Sequence, residues 1–128
     1  KVTPAMQSIE ASIHAALQAH NQSGHVFSHL SHVYPSGSSI YTTFIFRLSE
    51  SPAHTLETWQ GVKHAASRAV VAAGGTISHQ HGVGRDHREY LPFEKGHLGI
   101  NVLREIFNHI DPDQRMNPDK LLPRTDDT

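Results

Sequence analysis

The segment Gly74-Gly75-Thr76-Ile77-Ser78-His79-Gln80-His81-Gly82-Val83-Gly84-Arg85 gathers groups able to do chemistry. Its flanking glycines let backbone approach a ligand closely, because no Cβ stands in the way. If residues 77–81 are extended, side chains alternate and His79 and His81 point the same way. Two imidazoles side by side can act as general acid and base, or hold an anion when protonated. They can also supply two metal ligands, but a protein metal site ordinarily takes a third. No third ligand is evident and Gln80 is a poor substitute for a carboxylate, so no bound metal is expected. A turn with two solvated histidines satisfies the same pattern. Gly82-Val83-Gly84 is not a dinucleotide fingerprint, which needs a third glycine and a βαβ context.

Tyr41 is a second candidate. It lies at the start of the run Ile40-Tyr41-Thr42-Thr43-Phe44-Ile45-Phe46-Arg47-Leu48, whose aromatic and β-branched content marks a strand. Alternation puts Ile40, Thr42, Phe44, Phe46 and Leu48 on one face, the core candidate. Tyr41, Thr43, Ile45 and Arg47 share the other, from which a phenol can look into a site. An amphipathic tyrosine with its hydroxyl in water fits equally well, as it does for Tyr34. Arg85, His87 and Arg88 form a basic cluster able to hold a phosphate or carboxylate, or simply a solvated helix start.

The elements that must position these groups are legible as periodicities. Thr3-Pro4 reads as a cap and first helical residue, followed by Met6, Ile9, Ile13, Ala16 and Leu17 at helical spacing. Asn21–Gly24 ends that helix. Residues 25–34 and 40–48 read as strands joined by a turn over Pro35–Ser39. Ser51-Pro52 opens a second helix with the stripe Leu56, Trp59, Val62, Ala66, Val70 and Ala73, and Gly74-Gly75 closes it. A short strand over Thr76–Ser78 leads into the histidine loop. A last helix puts Leu98, Val102, Leu103, Ile106, Phe107 and Ile110 on its buried side and ends at Asp111-Pro112. This order predicts an α+β, ferredoxin-like sandwich: a small antiparallel sheet with helices on one face. Its core takes Phe44, Phe46, Trp59, Val62, Val70, Leu103 and Ile106, with Trp59 largely buried against the sheet.

The 128 residues suit one domain, 37% hydrophobic and 18% charged, which is a globular composition. A net charge of −1 gives no basic excess for nucleic acid or a membrane surface. No apolar run is long enough to span a bilayer. There is no cysteine, so disulfide and thiolate chemistry are excluded. The 12 histidines are scattered, and exposed positions account for most of them.

Three blocks together carry a resemblance. Residues 27–48 (FSHLSHVYPSGSSIYTTFIFRL), 72–91 (AAGGTISHQHGVGRDHREYL) and 111–122 (DPDQRMNPDKLL) resemble the C-terminal part of alkyldihydroxyacetone-phosphate synthases. These belong among the FAD-linked oxidases of the vanillyl-alcohol oxidase type, which pair an N-terminal FAD domain with a cap over the isoalloxazine ring. The resemblance implies that residues 1–122 form such a cap, that 123–128 are a polar tail, and that an FAD-binding domain lies upstream and holds most of the cofactor. Tyr41 falls on the family's catalytic tyrosine. His79 and His81 fall on the outer members of three consecutive histidines, with Gln80 in the middle. Glutamine can hydrogen-bond but cannot shuttle a proton. Gln80, Gly82 and Asn117 are implied to lie against the flavin, and Arg85 and Arg88 to hold an anionic substrate. Asp119 stands where the wider family usually has glycine.

The implied reaction exchanges an acyl group on dihydroxyacetone phosphate for a fatty alcohol, an ether-lipid step without net oxidation. Its small-molecule substrate is phosphorylated and lipid-linked. A second hypothesis is FAD-dependent oxidation of a 2-hydroxy acid such as lactate or glycolate. The metal-dependent branch of those relatives carries two hairpin histidines seven apart and a Glu-His pair in the glycine loop. Tyr34 and Tyr41, and Gln80-His81, stand at those positions here, which disfavours that branch. A flavin-free α+β binding module is the third hypothesis. Expectations for the parent are a cytoplasmic protein, free or peripheral to a membrane, with a homodimer compatible with the reading.

Overall fold

The computed structural model describes residues 1–77 and 80–123. It is an α+β chain: helix α1 (Val2–Ala19), strands β1 (Gly24–Tyr34) and β2 (Gly37–Phe46), helix α2 (Pro52–Ala72), a 3₁₀ turn at Arg88–Tyr90, and helix α3 (Leu91–Ile110). The chain divides into two compact units, residues 1–74 and 75–128. Among the described residues no helix is long and apolar enough to cross a membrane.

In the first unit β1 and β2 form a two-stranded antiparallel sheet. Ile9, Ile13 and Leu17 of α1 are buried with Val62 and Ala69 of α2, and Val26, Ile40, Phe44 and Phe46 pack against them from the sheet. The inward face of β2 is therefore the one that alternation predicts. The helix ends follow local chemistry. Asn21 takes a left-handed φ of 54° after the α1 C-cap. The N–H groups of Gln22 and Asn21 return to Leu17 O (2.8 Å) and Gln18 O (2.9 Å), a Schellman closure. Pro52 occupies the first turn of α2, and Gly74 closes it at φ 72°.

Several boundaries differ from the sequence reading. α1 begins at Val2 with Lys1 as its cap, because Thr3 and Pro4 are already helical. The hairpin turn is only Pro35-Ser36, so β2 starts at Gly37; it ends at Phe46, leaving Leu48 exposed beyond it. The register slips between Leu30 and His32, a bulge at Ser31. Thr76 and Ile77 are not in a strand, and Ser78 lies outside the described residues. Trp59 is only half-buried, with Lys63 Nζ 5.8 Å from its ring centroid. Leu56 is exposed.

The second unit is built on Val83, Leu91 and Ile100, with Leu103, Leu121 and Leu122 packed around them. Gly96, at φ 66° and ψ 167°, breaks α3 after its first turns. Of the stripe expected to be buried, Leu103 packs inward, but Leu98 is 78% exposed, and Val102, Ile106, Phe107 and Ile110 are exposed as well. Among the described residues α3 is the one long helix of this unit, and none of them covers its second apolar face. Burial selects the Ile100–Leu103 side instead.

Candidate functional site

The hairpin presents Tyr41 as alternation requires. Its ring is on the face away from the core and half exposed, at 50%. On that face His25 stands opposite Ile45, Phe27 opposite Thr43, and His29 opposite Tyr41. The His29 and Tyr41 rings stack, with centroids 5.2 Å apart and planes at 27°. On the inner face the Ser28 and Thr42 hydroxyls hydrogen-bond at 2.8 Å. Tyr34, near the turn, stacks on His32 of its own strand.

The second unit holds the loop. Gln80 (φ 58°), Gly82 (φ 74°) and Gly84 (φ 57°) are left-handed, a conformation that glycine accepts and glutamine adopts at a cost. Val83, buried between the two glycines, fastens the loop to the local core. His81 and Gln80 are exposed. His79 lies outside the described residues. A Cβ built on Gly82 or Gly84 would meet nothing within 4 Å, so the backbone is open on that side. Bare backbone with a neighbouring primary amide suits the polar edge of a flat heterocycle, and in this respect the residues fit a flavin.

Two groups to which the sequence reading gave no role hold the loop. Glu94 in the first turn of α3 accepts from Thr76 Oγ1 at 3.0 Å and from Ile77 N–H at 2.5 Å. Asp119 receives the basic cluster: Arg88 Nη1 donates to its carbonyl at 3.0 Å, and Arg88 and Arg85 lie 4.0 and 3.9 Å from its carboxylate. Arg88 is 12% exposed and Arg85 61%, so of the two Arg85 faces solvent. The Leu121 N–H donates to Gly84 O at 3.0 Å, which brings the closing segment onto the loop. Asn117 is exposed at φ 54°, just after a turn held by the Asp111 carboxylate, which accepts from Arg115 and Met116 N–H groups. An acid in a helix's first turn and an aspartate after Asn-Pro leave no mark of these roles in the sequence. The loop and the Arg85–Asp119 cluster thus lie together in the second unit, and Tyr41 and His29 in the first.

The profile of FAD linked oxidases, C-terminal domain, matches residues 3–121, and the chain belongs to that family. The alkyldihydroxyacetonephosphate synthase of Dictyostelium discoideum is 32% identical over 98 residues, 77% of this chain and 16% of that protein. The protein of the same name from Caenorhabditis elegans is 34% identical over 80 residues, 62% of this chain and 13% of its own length. The mitochondrial D-lactate dehydrogenase (cytochrome) of Kluyveromyces lactis is 34% identical over 110 residues, 86% of this chain and 18% of that protein. The chain therefore spans less than a fifth of each of these relatives.

Proposed function

We propose that this member of the FAD-linked oxidase C-terminal family is the substrate-facing domain, residues 1–122, of an FAD-dependent alkyldihydroxyacetonephosphate synthase. Its reaction replaces the acyloxy group of an acyl-dihydroxyacetone phosphate by the alkoxy group of a fatty alcohol, releasing the fatty acid. The observation that carries this reading is the pairing of family membership over residues 3–121 with Tyr41 presented outward on β2. Bound FAD supplies an electrophilic centre for the substrate carbon, and most of its contacts come from outside this chain. Tyr41 Oη moves the substrate proton. His81, with His79, exchanges protons or stabilises charge near the flavin. Gln80, Gly82 and Asn117 meet the polar edge of the cofactor, with Gln80 acting through hydrogen bonds alone. Arg85 attracts the substrate phosphate, Arg88 being held by Asp119. The test is turnover by the intact flavoprotein: ether formation from acyl-dihydroxyacetone phosphate and a long-chain alcohol, lost in Tyr41→Phe with the flavin still bound.

Similarity to the Kluyveromyces lactis D-lactate dehydrogenase favours a second reading, FAD-dependent oxidation of a 2-hydroxy acid. The same preparation separates the two. Reduction of the flavin by D-lactate or glycolate, without ether formation, selects the oxidoreductase.

A further inference from the structure

We propose that His29 is a positioning residue for Tyr41, its imidazole holding the phenol in the orientation from which Oη moves the substrate proton; this rests on the acid–base reading of Tyr41. The two residues are direct cross-strand partners on the exposed face of the hairpin. Their rings stack at 5.2 Å and 27°. A tyrosine that is 50% exposed has little core packing to fix its rotamer, so a stacked neighbour is the restraint available to it.

The surroundings make the pairing a fixed one. Directly behind it the Ser28–Thr42 hydroxyl bond of 2.8 Å ties the strands at the next rung. Val26, Ile40 and Phe44 anchor the flanking rungs in the core. A one-residue slip would turn those apolar side chains outward, so the register is strongly specified. The bulge at Ser31 then changes the phase of β1. It separates the cross-strand pair His29–Tyr41 from His32–Tyr34, whose rings belong to one strand. Tyr41 is thereby braced from the facing strand at a set place on the sheet.

The experiment uses the intact, flavin-loaded enzyme with acyl-dihydroxyacetone phosphate and a fatty alcohol. His29→Ala and His29→Gln both remove the stack. Each is expected to lower kcat by about three- to tenfold, the rate equivalent of one aromatic pair, with KM and flavin content unchanged. His29→Phe keeps a stacking ring and is expected to restore most of kcat. In a Tyr41→Phe background, where no hydroxyl remains to be aimed, His29→Ala is expected to add no further loss. Wild-type kcat in His29→Ala and His29→Gln overturns the inference while leaving the role of Tyr41 intact. Failure of His29→Phe to rescue, or a full His29→Ala effect in the Tyr41→Phe background, overturns it in the same way. Full activity of Tyr41→Phe by itself removes both the acid–base reading and the inference.

Discussion

The backbone N–H of Ile77 donates to Oε1 of Glu94 at 2.5 Å, while Thr76 Oγ1 donates to the other carboxylate oxygen at 3.0 Å. One side chain in the first turn of α3 thus pins the approach to the histidine loop. Hydrogen bonds to a charged group contribute about 1.5–3 kcal/mol. Glu94→Ala is therefore expected to speed amide exchange at Ile77 by at least tenfold, leaving amides in the middle of α1 unchanged. Equal exchange at Ile77 in both proteins would show that the loop is held some other way.

Gly24 is required by close packing. A Cβ there would run into the Ile45 carbonyl oxygen and crowd Leu17 Cδ1. The obstacle is backbone, which no rotamer change relieves, and overpacking of this kind costs about 1–3 kcal/mol. Gly24→Ala should lower stability by that amount in a urea melt. Gly37→Ala is the control: its Cβ meets nothing within 4 Å, so the change should stay within about 0.5 kcal/mol.

Burial separates two positions that both read as core by periodicity. Ile13 is 1% exposed and Leu98 78%. Ile13→Ala is expected to cost about 2–5 kcal/mol, since the transfer and cavity terms add. Leu98→Ala in this chain should cost no more than about 0.5 kcal/mol. Comparable losses from the two would place Leu98 in a packed layer.

Catalysis in the intact enzyme tests the two candidate proton carriers separately. Tyr41→Phe deletes one hydroxyl and keeps the ring that stacks on His29. Loss of a general acid or base typically lowers the rate by about 10²–10⁴-fold. Both Tyr41→Phe and His81→Ala are expected to do so with the flavin absorbance retained. Near-wild-type turnover in either variant removes that residue from the mechanism.

On the proposed reading the isolated chain is expected to bind FAD weakly or not at all, since a domain that caps one side of the cofactor leaves the pyrophosphate and adenine without a site. Flavin fluorescence titration checks this. Stoichiometric binding below micromolar concentration would mean that the chain carries a full cofactor site.

What the sequence determined by itself was local pattern and kinship. The spacing of Ile9, Ile13 and Leu17 marks the buried face of α1, and alternation along residues 40–46 puts Phe44 inward and Tyr41 outward, because helix and strand periods are properties of a few adjacent residues. Gly74 announces the end of α2 by its tolerance of a left-handed φ. The three blocks quoted above pointed to the family that the match over residues 3–121 shows. Tertiary structure alone decided the rest. The two-residue turn at Pro35-Ser36 and the bulge at Ser31 set which histidine meets Tyr41. Glu94 reaches back 17 residues to Ile77, and Arg88 forward 31 to Asp119, contacts that follow no period. Leu98 and Ile100 differ by one turn-fraction of the same helix and end on opposite sides of burial, because an apolar residue is buried only where a second apolar surface arrives to cover it.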